Sequence, residues 1–196
     1  FEYYNNLVYQ DSTYINEMIN AFEFVAQSDT SLFGSYFYLS LLNKKNKNKK
    51  KYIEYMDKYI HYSNNNEKAQ YLIASKHFDN QQYIESLFEF QKILISNKTS
   101  LFARFMIAHC LFELGSFDDA IKAFKIVLSN DSYDVKSRYY LGQSYHNIGD
   151  YNQAIKEFTQ VLLLSPDYKD VYYYLGYCYL MTDNQNKAKE SLNRVI

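Results

Sequence analysis

The chain lacks several features that mark common functional classes. Its 196 residues include no tryptophan, one proline, five glycines and two cysteines. No apolar run reaches the roughly 18 residues that a membrane-spanning helix needs, so we expect no membrane insertion. The formal net charge is −1, which gives no overall field to attract nucleic acid or an anionic membrane. The glycines form no phosphate-binding loop and the four histidines are dispersed, so the sequence predicts no cofactor, no metal site and no enzyme activity.

The main positive feature is a repeat of 34 residues that runs from end to end. Small residues recur at this interval in two columns, and bulky apolar residues recur in a third. The first small column is Ser40, Ala74, Ala108, Gly142 and Gly176; the second is Ser86, Ala120, Ala154 and Ala188; the bulky column is Phe22, Met56, Phe90, Phe124, Phe158 and Leu192. A constant period in this range is typical of proteins built from stacked units. We therefore predict one array over 1–196, with units 1–32 (divergent), 33–66, 67–100, 101–134, 135–168 and 169–196 (truncated).

Each unit contains two stretches in which apolar residues follow helical spacing. In the unit 101–134, Ala103, Ile107 and Cys110 lie on one face of a first helix. Ala120 and Phe124 lie on one face of a second helix. A Gly-Ser pair between the two stretches is typical of a turn that ends a helix. Because one helical hairpin cannot bury both of its apolar faces, neighbouring hairpins are expected to stack.

The two cysteines, Cys110 and Cys178, lie 68 residues apart, which is two periods. Equivalent positions two units apart are separated by several helix-packing distances of about 8–10 Å each. A disulfide needs Cα atoms within about 7 Å of each other. We therefore expect two free, buried thiols, which argues against a strongly oxidising compartment. The sequence does not otherwise indicate a compartment.

The pattern resembles the tetratricopeptide repeat, whose signature is W-x2-L-G-x2-Y, then A-x3-F, then P. The unit 135–168 carries it at Leu141, Gly142, Tyr145, Ala154, Phe158 and Pro166. Arg138 stands in place of the leading aromatic residue. The match is strongest over 101–196, weaker over 67–100, and depends mainly on the unbroken period over 1–66. The resemblance implies an all-α, right-handed superhelical solenoid of about six antiparallel helix pairs, whose first helices line a concave groove.

The groove that the resemblance implies would be lined by aromatic side chains. One column is aromatic in all six units: Tyr3, Phe37, Tyr71, Phe105, Tyr139 and Tyr173. The predicted partner-binding residues are Phe37, Tyr71, Phe105, His109, Tyr139, Tyr140, Gln143, Tyr173, Tyr174 and Tyr177. Two explanations remain open for these columns. They form a ladder that holds a ligand, or they are interhelical core in which an AT-rich genome favours tyrosine.

These features predict a scaffold that binds a peptide or helix of a partner protein in the groove. The alternative is a structural module of a larger complex or a self-associating array, because Val195 and Ile196 are apolar and no polar capping helix follows them. Nucleic acid is not an expected partner, since helical-repeat grooves that bind RNA are basic. The lysine-rich run 44–51 lies between two helices and is expected to be a solvated turn, with contact to an anion or an acidic partner as the alternative. Acidic side chains are expected on outer faces.

Overall fold

The computed structural model describes residues 12–28, 32–63 and 67–195. These residues form eleven α-helices and no strand. The helices are α1 Ser12–Ser28, α2 Gly34–Lys45, α3 Lys49–Tyr62, α4 Glu67–Asp79, α5 Tyr83–Ser96, α6 Leu101–Glu113, α7 Phe117–Asn130, α8 Val135–Asn147, α9 Tyr151–Leu164, α10 Asp170–Met181 and α11 Gln185–Leu192. None of these helices has the length and apolar character to cross a membrane. Tyr3 and Ile196 lie outside the described residues.

The chain divides into two compact units, Phe1–Lys76 and His77–Ile196. In the first unit, α1 packs on α2 and α2 packs on α3. In the second unit, each helix from α5 to α11 packs on the next, and the first helices of neighbouring pairs, α6 with α8 and α8 with α10, also touch. Each unit has its own apolar core, around Met56 and Tyr59 in the first and around Phe124 and Phe158 in the second. The predicted all-α fold of stacked helix pairs is confirmed.

The turn inside each helix pair has the same backbone geometry in five pairs. One residue per turn takes the left-handed conformation, and the N–H of the following residue donates to the carbonyl oxygen five positions earlier at 2.8–2.9 Å. This bond satisfies a carbonyl at the end of the first helix, as in a Schellman motif. The left-handed residues are Lys47, Gln81, Gly115, Gly149 and Asp183, with φ of 56°, 62°, 74°, 81° and 56°. The 34-residue period is therefore present in the backbone where the sequence has no glycine.

Every member of the two small columns is buried, and in the second unit Gly142 and Gly176 lie where the two helices of a pair approach closely. A Cβ added to Gly142 would lie 2.7 Å from Cε1 of Phe158, and one added to Gly176 would lie 2.6 Å from Leu192. Phe158 is fully buried, whereas Leu192 is 36% exposed. The close approach of α8 and α9 thus depends on the absence of a side chain at Gly142.

The lysine-rich run 44–51 is partly helical. Only residues 46–48 form the turn, while Lys44 and Lys45 end α2 and Lys49 to Lys51 begin α3. The Nζ atom of Lys51 lies 2.8 Å from Oε1 of Glu23 in α1. The run is therefore a turn only in part, and Lys51, whose side chain is 44% exposed, also pairs with a carboxylate of α1. The expectation of two free, buried thiols at Cys110 and Cys178 is confirmed.

Candidate functional site

The first helices of the second unit carry most of the predicted binding residues on one side. We call this surface the first-helix face and define it by Phe105 and His109 of α6, Tyr139, Tyr140 and Gln143 of α8, and Tyr173, Tyr174 and Tyr177 of α10. Two of the three helices begin at a side-chain cap. Oγ of Ser100 accepts from the N–H of Ala103 at 3.1 Å, and Oδ1 of Asp134 accepts from the N–H of Lys136 at 3.1 Å. These caps fix the first turns of α6 and α8 and therefore the residues that face outward.

Tyr140 and Tyr174 contribute to the junctions between consecutive helix pairs. The ring of Tyr140 stacks on Phe124 of the preceding pair, with centroids 5.8 Å apart and planes at 9°. The ring of Tyr174 stacks on Phe158 in the same way, at 5.3 Å and 22°. Both tyrosines are half-buried and pack against the core. Their aromatic faces are therefore used largely inside the stack.

Gln143 ties two phenol groups together beneath the surface. Its side chain is 8% exposed. Its Nε2 donates to Oη of Tyr139 at 3.0 Å and to Oη of Tyr174 at 2.7 Å. Burial, and then the neighbouring Tyr174, raises the pKa of Tyr139 above its ordinary value, and burial likewise raises the pKa of Tyr140. These phenols stay neutral at physiological pH and act as hydrogen-bonding and packing groups.

His109 occupies the position equivalent to Gln143 one repeat earlier. Its ring centroid lies 4.2 Å from that of Tyr140 and 5.7 Å from that of Phe105. Its Nε2 lies 3.3 Å from Oε1 of Glu113. Burial lowers the pKa of His109 more than the nearby Glu113 carboxylate raises it. The imidazole is thus neutral near pH 7 and packs as an aromatic ring between α6 and α8.

Two rings of this surface and one ring beside it reach solvent. Tyr173 and Tyr177 of α10 are 57% and 39% exposed. Phe102 of α6, which is not among the predicted binding residues, is 52% exposed. It lies three residues before Phe105 and therefore on the same helix face, and this spacing could have revealed it. The other members of the face are half-buried or buried.

A pocket of about 220 Å³ opens next to Phe102 and Phe105. We call it the α6 pocket. Its walls come from α6, from the end of α7 and from the turn that leads into α8. The lining residues are Leu101, Phe102, Phe105, Val127, Asp131, Asp134 and Lys136.

The two predicted residues of the first unit are half-buried. The Phe37 ring lies 5.5 Å from Tyr59 and 5.4 Å from Tyr38, and Nζ of Lys68 lies 5.5 Å from its centroid. Tyr71 follows Lys68 by three residues on α4. A cation over an aromatic ring is attracted by the ring quadrupole. Phe37 therefore serves chiefly the packing of its own unit.

The part of the chain that the structure covers contains no group of three or more histidine, cysteine, aspartate or glutamate side chains placed to hold a metal ion. His146 is another half-buried imidazole of the second unit. Its ring lies 5.4 Å from Tyr174 and 5.0 Å from Tyr177, and its Nδ1 has no hydrogen-bonding partner among the described residues. Burial lowers the pKa of His146. This histidine packs against the aromatic rings of α10.

Comparison with protein families identifies the repeat. Two models of the tetratricopeptide repeat match the chain, one over residues 105–151 and the other over residues 149–196. The chain is a tetratricopeptide repeat protein. A model of anaphase-promoting complex, cyclosome, subunit 3 also matches, over residues 45–127. No curated protein sequence matches the chain.

Solved structures share the fold of this tetratricopeptide repeat protein at low sequence identity. PilW, described as a widely conserved type IV pilus biogenesis factor, is 14% identical with a TM-score of 0.82, over 92% of this chain and 84% of PilW. MamA from Desulfovibrio magneticus RS-1 is 16% identical with a TM-score of 0.70, over 83% of this chain and 92% of MamA. YrrB, described as having an unusual peptide-binding site, is 20% identical with a TM-score of 0.63, over 90% of this chain and 91% of YrrB.

One departure of this tetratricopeptide repeat protein from the repeat signature has a structural explanation. Arg138 replaces the leading aromatic residue, and its Nη1 donates to Oε2 of Glu157 in α9 at 2.9 Å. Its Nη2 donates to the carbonyl oxygen of Ser132 in the turn before α8, also at 2.9 Å. Glu157 is only 9% exposed. The expectation that acidic side chains lie on outer faces is wrong here, because α8 places a partly buried cation opposite this carboxylate.

Proposed function

We propose that this tetratricopeptide repeat protein is a non-catalytic interaction scaffold, and that its second unit binds an extended or helical segment of a partner protein on the first-helix face. The observation that supports this most directly is the exposure of three large rings on that side, Phe102, Tyr173 and Tyr177. Exposed aromatic residues are typical of protein-binding surfaces. The peptide-binding site named for YrrB belongs to a protein of the same fold and agrees with this role.

The buried residues of the first-helix face would hold the exposed rings in position for binding. Gln143, Tyr139 and Tyr174 are held by hydrogen bonds and ring contacts, so α10, which carries Tyr173 and Tyr177, is held in register with α8. A rigid binding surface loses little conformational entropy when the partner docks. We assign binding to the exposed rings, and packing chiefly to Tyr140 and Tyr174.

Selection of binding peptides from a random library displayed on phage tests this role directly. The affinity of selected peptides is then measured for the intact chain and for Tyr173→Ala and Phe102→Ala. We expect each variant to bind on the order of tenfold more weakly, which corresponds to about 1.4 kcal/mol. Helicity by circular dichroism should not change, because both rings are more than half exposed.

Phe88→Ala is the matched control for Tyr173→Ala, since Phe88 is also 57% exposed but lies on α5, the second helix of its pair. It should bind like the wild type. A library that yields no binding peptide, or peptides that bind all three variants equally well, would refute the proposed role of this surface.

A second candidate function is assembly through α10. Tyr177, Leu180 and Met181 are 39%, 50% and 50% exposed. In the preceding repeat, Gln143 and His146, at the positions equivalent to Tyr177 and Leu180, contact Tyr174 of α10. The corresponding side of α10 could receive a helix from another copy. Sedimentation over a range of concentrations tests this, and Leu180→Glu should abolish any concentration-dependent increase in mass.

A further inference from the structure

We propose that the α6 pocket takes one large apolar side chain of the bound segment, and that Asp131 pairs with a lysine or arginine next to that side chain in the partner. This inference rests on the proposed function and specifies which sequence the scaffold prefers. It follows from the size of the pocket, from its lining, and from the charge at the end of α7.

The size of the pocket suits a single side chain. Its volume is about 220 Å³. An apolar cavity of about 150 Å³ holds a benzene molecule, so a phenylalanine or leucine side chain fits. Pockets for small-molecule ligands are typically about 300–1,000 Å³, which is larger. The volume therefore suits one side chain of a bound segment better than a whole drug-sized ligand.

The residues that line the pocket range from buried to exposed. Val127 is 2% exposed, whereas Leu101 and Phe102 are 39% and 52% exposed. The Phe102 ring also packs edge-on against Phe90, with centroids 5.9 Å apart, which holds it at the rim. Pockets that anchor one buried side chain contribute most of the affinity at many interfaces.

The end of α7 makes one side of the pocket negative. Asp131 follows the last residue of α7, and its N–H donates to the carbonyl oxygen of Val127 at 2.9 Å. A helix carries partial negative charge at its C-terminus, and a carboxylate there adds to it. The last turn of α7 has no basic residue. A cation from the partner would offset both negative charges.

Asp131 is better placed for this pairing than the other acid in the pocket. Asp134 uses Oδ1 to accept from the N–H of Lys136 and Oδ2 to accept from Oγ of Ser137 at 2.6 Å. Asp131 uses only Oδ1, which accepts from the N–H of Tyr133 at 3.0 Å. Its second oxygen remains for a ligand. Lys136 places a cation on the α8 side of the pocket, so a basic residue of the partner should approach from the side of Asp131.

The test uses the full chain and the same random peptide library. Peptides are selected on the wild type, and their affinity is measured for Asp131→Lys, Phe102→Ala and the control Asp167→Lys. Asp167 is exposed and lies in the equivalent turn one repeat later, so the control makes the same charge change away from the pocket. Selected peptides should share a large apolar residue beside a lysine or arginine. Asp131→Lys should weaken them on the order of tenfold at low salt, and a peptide with glutamate in place of that basic residue should regain affinity for Asp131→Lys only.

The outcomes separate this inference from the proposed function. Peptides that bind at Tyr173 but lack the basic residue, or that bind Asp131→Lys unchanged, would refute the pocket assignment and leave the scaffold role intact. Selection of acidic peptides whose binding depends on Lys136 would refute it as well. Failure to select any binding peptide would count against both proposals.

Discussion

Loss of the Arg138 side chain should destabilise the second unit by an amount that distinguishes a buried ion pair from a surface one. The Arg138 and Glu157 side chains are 20% and 12% exposed, and Nη1 lies 2.9 Å from Oε2. Removing one partner of a fully buried pair costs about 3–5 kcal/mol, because the other charge remains without compensation. Exposed pairs are worth about 0–1 kcal/mol. For this partly accessible pair we expect Arg138→Met to lower the free energy of unfolding by about 2–3 kcal/mol.

Urea denaturation followed by circular dichroism measures this effect. The double variant with methionine at both Arg138 and Glu157 should recover to within about 1 kcal/mol of the wild type, because two apolar side chains leave no charge buried. The exposed pair of Lys122 and Asp119, whose atoms lie 2.9 Å apart and whose side chains are 75% and 62% exposed, is the control. Lys122→Met should shift the urea midpoint much less than Arg138→Met, because water and salt screen an exposed pair. Equal stability of Arg138→Met and Lys122→Met, or a double variant less stable than Arg138→Met, would contradict a buried ion pair at Arg138 and Glu157.

Three further predictions concern protonation and close backbone contacts. Burial lowers the pKa of His146 in the folded chain. As the pH falls below about 6.5, the unfolded chain therefore binds a proton at this histidine before the folded chain does, and the free energy of unfolding decreases. His146→Gln should reduce this loss between about pH 7 and 5, measured as urea midpoints. Gly142→Ala should lower the free energy of unfolding by about 1–2 kcal/mol, because the new Cβ meets the buried ring of Phe158. Gly176→Ala should be close to neutral, because its new Cβ meets the partly exposed Leu192. Thermal melts of both variants measure the difference. Gln81→Gly should stabilise the chain by up to about 1 kcal/mol, since φ is 62° at this position.

Each of these predictions has a result that would contradict it. An unchanged pH dependence in His146→Gln would show that this imidazole is not the group that titrates, and His61→Gln, an exposed site, controls for the loss of a histidine. Equal melting temperatures for Gly142→Ala and Gly176→Ala would mean that the Phe158 ring can move aside. A destabilised Gln81→Gly would show that the glutamine side chain contributes more than its backbone strain costs.

Much of the fold could be predicted because the period repeats the same packing requirement. Ala120, Ala154 and Phe158 are buried where the columns placed them. The left-handed turn at Gln81 was not predicted, because the tertiary contacts of the hairpin impose a geometry that the residue itself disfavours. The Arg138–Glu157 pair was missed for a similar reason: residues 19 positions apart in sequence meet only once the hairpin is closed.

The candidate site was harder to predict than the fold. Adjacent tyrosines such as Tyr139 and Tyr140 look alike in the sequence, yet one hydrogen-bonds to Gln143 and the other stacks on Phe124. The difference depends on the next repeat, which covers one side of each first helix. Tyr173 is exposed although its equivalents Phe105 and Tyr139 are half-buried. A column defined by a period cannot separate these environments, because it contains no information about neighbours in space.

The stacking of Phe124 on Tyr140 and of Phe158 on Tyr174 has a consequence for recombination. Each ring pair joins the second helix of one hairpin to the first helix of the next. A chimaera spliced at the sequence borders, after residue 134 or 168, would separate two rings that are shaped for each other. A cassette cut in the turn within a hairpin would transfer both rings together. A library that exchanges cassettes made of a second helix and the first helix that follows it should therefore contain more folded hybrids than a library that exchanges whole repeats.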